Sequence, residues 1–285
     1  VLKQFPYKFR VYITLFISQF ICASLTFSEP VKARLNPSYD QVKSLKAFSL
    51  PSGGIVKISS TPQFSLVANV VSETVKLTHD NIEKLFGPTK NISVEVKLIP
   101  EDIFFITTQA PSWTNALYYN DVILIPVKKN QISTEDFKRS IRHEFSHAAI
   151  HSLSDGLAPG WIDEGLAQHL EGSAHPALFT ALKKWVQYNP PVPLSMLQNG
   201  FTKLDTKYVV AAYAQSLWAT RYIIGKYGYL KVRNYLSDLK SSENSFQKNF
   251  GISESQFEEE LKCVLTDNFC LAMPEACNKC RKVLL

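Results

Sequence analysis

His143, Glu144 and His147 form a His-Glu-x-x-His pattern, and Trp161-Ile162-Asp163-Glu164-Gly165 follows shortly after it. On an α-helix, residues four apart share a face, so both imidazoles can aim at one ion. Glu144, one step around the helix, projects towards the open side of that ion, where a water would sit. Two histidine ligands beside a glutamate that serves as general base form a zinc-hydrolase arrangement. With six histidines in 285 residues, composition alone produces the pattern with a probability on the order of one per cent or less.

A catalytic zinc takes three protein ligands and keeps a fourth position for water. Glu164 is the best third ligand, on a short helix that returns after the Gly- and Pro-containing turn at 155–160. His151 and His169 are the nearby alternatives. Three successive ligands at i, i+4 spacing span two helical turns, too far for one ion, which disfavours His151. His169 lies five residues past Glu164, on another face. His79 and His175 have no partner pattern and are expected to be ordinary surface residues.

The elements that must position these residues follow from periodicity. Residues 134–151 have helical spacing, with Ser133 and Asp136 able to cap the start. Pro159 and Gly160 break the chain before a second helix at 161–170. Upstream, 54–59 and 64–68 alternate as strands do, 72–86 has helical spacing stopped by Gly87-Pro88, and Ile92, Val94, Val96 and Leu98 alternate strictly. A short helix is expected around 39–48, and a short apolar strand at 121–125. Later helices are expected at 176–187, 207–226, 228–239, 242–250 and 253–265, with Gly251 ending one and Ser253-x-x-Gln256 capping the next. Strands followed by helices make this an α+β chain with the site where the two halves meet.

Lys3, Lys8 and Arg10 carry half of the net charge of +6. The remainder leaves no basic footprint for nucleic acid. After these charges an apolar run from Val11 to Phe27 reaches Ser28-Glu29-Pro30, so residues 1–28 are expected to be a signal peptide. An N-terminal anchor is the alternative. Only such an uncleaved anchor would bring the chain to a membrane. Residues 29–60 are expected to be a linker and a strand, and 263–285 a Cys-rich tail. Cys263, Cys270, Cys277 and Cys280 favour two disulfides in an exported protein over a four-thiolate zinc site.

His143-Glu144-x-x-His147 followed by Trp161-Ile162-Asp163-Glu164-Gly165-Leu166-Ala167 resembles the gluzincin metallopeptidases, most of all the compact peptidase MA-like group. The resemblance extends over 61–262 and includes Phe86-Gly87, the 123–126 strand, Tyr213-Ala214-Gln215-Ser216 and Tyr227-Gly228. The His147–Glu164 gap is two residues shorter than in the large aminopeptidases of that clan. The resemblance implies a zincin-like fold: a small mixed β-sheet, a zinc helix and a mostly helical C-terminal subdomain, with a peptide or protein substrate in the cleft between.

It further implies one zinc held by His143, His147 and Glu164, and hydrolysis by a zinc-activated water with Glu144 as general base. Tyr213 is then the expected oxyanion partner and Tyr208 its substitute. Gln168 and Asp163 are expected to support the ligating histidines. Val122, Ile123 and Leu124 are expected to form the sheet edge on which an extended substrate pairs. The absence of a Gly-x-Met-Glu-Asn-like motif favours an endopeptidase. The alternative is a catalytically inactive zincin-fold binding module of the cell envelope. Either way the expected location is the periplasm, the cell envelope or outside the cell.

Overall fold

Along Val94–Pro100 every second residue from Val94 to Leu98 is buried, and this strand lies in the interior of a sheet. The computed structural model describes residues 12–15, 43–60, 62–110, 112, 114–128, 134–172, 176–199, 201, 204 and 206–269. Six described strands run in the order β1 (Tyr12–Leu15), β5 (Thr114–Tyr119), β6 (Val122–Val127), β4 (Val94–Pro100), β3 (Ile55–Ser60) and β2 (Lys43–Ser49). β3, β4 and β6 are mutually parallel, whereas β2, β5 and β1 pair antiparallel. The β5–β6 hairpin turns at Asn120 and Asp121, whose φ values of 46° and 62° suit a two-residue type I′ turn.

Two helices cover one face of the sheet, α1 (Ser65–Phe86) and α3 (Glu135–Ser154). Val71, Val75 and Ile82 of α1 and Ile141, Phe145 and Ala149 of α3 share one core with Ile58, Val96, Ile123 and Ile125. The other face packs Leu117 and Leu124 against Phe104 of α2 (Glu101–Thr108). The rest is helical: α4 (Gly160–Leu170), α5 (Pro176–Tyr188), α6 (Thr206–Tyr227), α7 (Tyr229–Asp238), α8 (Ser245–Phe250) and α9 (Glu254–Phe269). A small mixed sheet, a buried helix across it and a helical second half make up the zincin-like α+β fold.

Several stretches differ from expectation. Residues 64–68 form no strand: Phe64 caps α1 and 65–68 open it, because Val67, Ala68 and Val71 continue one buried helical stripe. Lys43–Ser49, expected within a short helix, is β2, which pairs along the whole length of β3; pairing to a sheet overrides a weak local preference. α2 and β5 were not expected. β2 and β3, from the segment expected to be linker and strand, belong to this same sheet. Of the expected leader, Tyr12–Leu15 is the edge strand β1, and the rest lies outside the described residues.

Candidate active site

The helix that presents His143 and His147 starts where Thr134 accepts a hydrogen bond from the Phe137 amide at 3.2 Å. Glu135 and Asp136 in its first turn complement the positive end of the helix. Ser133, the expected cap, lies outside the described residues. The helix ends at Asp155, in the left-handed conformation, and Gly156 follows at φ 73°. Leu157 to Pro159 lead into α4, which carries Asp163 and Glu164 back against α3.

Gly165 fixes how near α4 comes to the next layer. A Cβ there would collide with Thr220 Oγ1 and with the Ser216 carbonyl of α6. Only glycine lets α4 and α6 touch at this point, immediately beside Glu164. Trp161, at the other end of the same turn, is fully buried, donates from Nε1 to Glu254 at 3.1 Å and stacks on Phe257. On α6, Gln215 clamps the Val192 backbone from both sides, accepting at 2.8 Å and donating at 2.6 Å.

His143, His147 and Glu164 converge, each buried. The two Nε2 atoms are 3.1 Å apart, and each faces the Glu164 carboxylate, at 3.5 Å from His143 and 3.6 Å from His147. Bonds of about 2.0–2.1 Å in a tetrahedral shell would separate ligand atoms by roughly 3.3 Å. Both Nδ1 atoms are engaged elsewhere: His143 donates to Glu171 Oε2 at 2.6 Å and His147 to Asp163 Oδ1 at 2.9 Å. That tautomer leaves both Nε2 lone pairs pointing at each other and at a carboxylate, an arrangement that calls for a cation. The donor set and spacing fit zinc.

The electrostatics agree. Burial opposes a charge on His143, but hydrogen bonding and attraction from Glu164 and Glu171 outweigh it and hold its pKa well above the ordinary histidine value. The surroundings thus favour positive charge at this imidazole, which a bound metal satisfies in place of a proton. Glu144 is fully buried on the same helix. Burial first, then the charges of Glu164 and Glu144, push the Tyr213 phenol well above its usual pKa, so its hydroxyl remains a donor.

A profile of the Peptidase MA superfamily matches residues 75–267, roughly two thirds of the sequence, and takes in all of these groups. The chain belongs to the peptidase MA superfamily. No curated protein matches it. Among solved structures, the M1 zinc metallopeptidase of Deinococcus radiodurans is 16% identical over 86% of this chain and 51% of its own, with a TM-score of 0.44. A mutant of the M1 enzyme from the same organism, bound to a Tyr-Ser-Ala substrate, is 16% identical over 85% and 51%, with a TM-score of 0.42. The present chain spans about half the length of those structures.

Within this peptidase MA chain, other expected residues land as follows. Asp163 is the acceptor for His147. Gln168 is not an acceptor for either histidine. It donates to the carbonyls of Glu164 at 3.2 Å and Tyr213 at 3.0 Å, tying α4 to α6. The group that holds His143 is Glu171, which sequence reasoning missed. It lies seven residues after Glu164, two full turns and nearly the same face, whereas Gln168 is rotated further around. Arg139 donates to Glu171 at 3.0 Å and keeps that carboxylate in place.

Val122, Ile123 and Leu124 do not form a sheet edge. β6 pairs with β4 on one side and β5 on the other, so its backbone groups are already used. Leu124 packs on the α2 face and Ile123 in the main core. The strand that lies along the zinc helix is β5, between β6 and the edge strand β1, and its Tyr118 ring stacks on His147 at 6.3 Å. Tyr208 packs edge-on against Trp185. His79 is buried rather than exposed, with its Nε2 2.7 Å from Ser52 Oγ. His169 meets the Tyr229 hydroxyl at 2.7 Å. His151 lies half-exposed, 3.8 Å from Asp121, and His175 is outside the described residues.

Proposed function

We propose that this protein hydrolyses peptide bonds as a zinc metallopeptidase, with endopeptidase action favoured. The observation that carries the proposal is the convergence of two histidine nitrogens and a carboxylate at zinc-ligand spacing, with Glu144 on the same helix turn and Tyr213 beside them. One zinc held by His143, His147 and Glu164 would supply a Lewis acid that lowers the pKa of water to about 7 and polarises a carbonyl. Asp163 and Glu171 keep the two imidazoles in the tautomer that ligation needs. The Glu144 carboxylate takes a proton from the attacking water and passes it to the departing amine. The Tyr213 phenol donates to the carbonyl oxygen as it gains negative charge.

Export is part of the same proposal. The basic start and apolar run of residues 1–28 support it, as does the clustering of Cys263, Cys270, Cys277 and Cys280 in one short stretch of sequence. Cys270, Cys277 and Cys280 are outside the described residues. Among the described residues no helix is long and apolar enough to cross a membrane.

The test is a broad library of peptides blocked at the amino terminus, incubated with purified zinc-loaded protein. Internal cleavage, abolished by a chelator and restored by zinc, is the expected result. A zinc-loaded protein that cuts nothing in the library contradicts the proposal, and cleavage only after unblocking contradicts the endopeptidase preference.

A further inference from the structure

We propose that Tyr12–Leu15 is an intramolecular occupant of the peptide-binding edge, so that the chain covers its own cleft until this strand is displaced or removed. The proposal rests on the peptidase function above for what the edge would otherwise bind. β5 is the last strand on its side of the sheet apart from β1. β1 pairs with it antiparallel, Tyr12 opposite Tyr118, Ile13 opposite Leu117 and Leu15 opposite Thr114, with the register slipping between Ile13 and Leu15. β1 also packs against α3, the helix that carries His143, Glu144 and His147. The Tyr12 end of the pairing lies at Tyr118, whose ring covers His147.

An open strand edge binds through a row of main-chain N–H and C=O groups and accepts an extended segment of almost any sequence. Tyr12–Leu15 and a substrate strand would use the same groups of β5, so only one can be seated at a time. The occupant is short, four residues against seven for the opposite edge strand β2, and residues 16–42 separate the two. A pairing of only four residues competes with free peptide without sealing the cleft permanently. A cut after the apolar run would remove β1 together with the expected leader. Export and unmasking would then be one event.

The test compares the zinc-loaded full chain with its Tyr12→Pro/Ile13→Pro form. Successive N–H groups on a strand point alternately towards and away from the partner, so replacing two neighbours removes a ladder donor in either register. Hydrogen exchange at the β5 amides should quicken at least tenfold in the variant, and a pool of extended peptides should restore protection. Peptide hydrolysis should rise about tenfold with zinc content unchanged. Unchanged exchange at β5, or failure of the peptide pool to restore protection, overturns the proposal, as does faster β5 exchange without faster hydrolysis in an active enzyme. If neither form cleaves peptide but the pool restores protection, the edge is shown to bind peptide and it is the peptidase function that falls.

Discussion

Glu144, Tyr213 and Glu171 surround the same three donors, but each would fail differently. In the proposed mechanism Tyr213 acts on the substrate, so Tyr213→Phe should lower kcat by about 100-fold, the usual cost of one oxyanion donor, while zinc content stays unchanged. Burial and two neighbouring carboxylates keep the phenol protonated beyond its ordinary range. The pH profiles of the wild type and Tyr213→Phe should therefore have the same shape up to about pH 10, where a free tyrosine would ionise. A new alkaline limb lost in the variant would contradict this. Glu171 acts one step back, through the His143 Nδ1–H. Glu171→Gln should weaken zinc binding about 10- to 100-fold in a chelator competition titration. Unchanged affinity would remove Glu171 from the centre.

The two glycines of adjoining helices give opposite predictions. Gly165→Ala drives a methyl into Thr220 and the Ser216 carbonyl, and should destabilise the fold by roughly 1–3 kcal/mol while displacing Glu164. Gly225→Ala on α6 meets open space and should stabilise by up to about 1 kcal/mol through helix propensity. Chemical denaturation of the two variants decides both signs. Helix α4 was legible in the sequence almost to the residue, and α3 nearly so, because capping, periodicity and the ligand pattern all agreed there. Where only one signal acted the sequence misled: five alternating residues at 64–68 fit strand and helix alike, and β2 exists only because β3 offers it a partner. The clustering of His143, His147 and Glu164 was legible because one helix turn and one short helix carry them. Glu171 and the true sheet edge were not, since the first depends on where α4 ends against α3 and the second on strand order.

Across the whole molecule, buried tyrosines and the crowded carboxylates set how stability responds to conditions. Tyr235 is buried against Phe246 and Phe250, and burial followed by Glu254 raises its pKa far above the ordinary value. Native and unfolded chains are both protonated below about pH 10, but above it only the unfolded chain readily loses the proton. Stability should therefore fall as pH rises past that point, and Tyr235→Phe should flatten the fall; equal slopes in thermal unfolding between pH 9 and 11 would contradict it. Glu144, Asp163, Glu164 and Glu171 lie buried around one centre, so metal should stabilise the fold, by about 2.7 kcal/mol at a hundredfold excess over Kd. Chelation should lower Tm accordingly. The central claim, that three residues hold the metal and Glu144 moves the proton, is tested most directly by Glu144→Gln. Elemental analysis should find zinc undiminished while peptide hydrolysis falls below detection. Loss of the zinc, or hydrolysis at the wild-type rate, would contradict it.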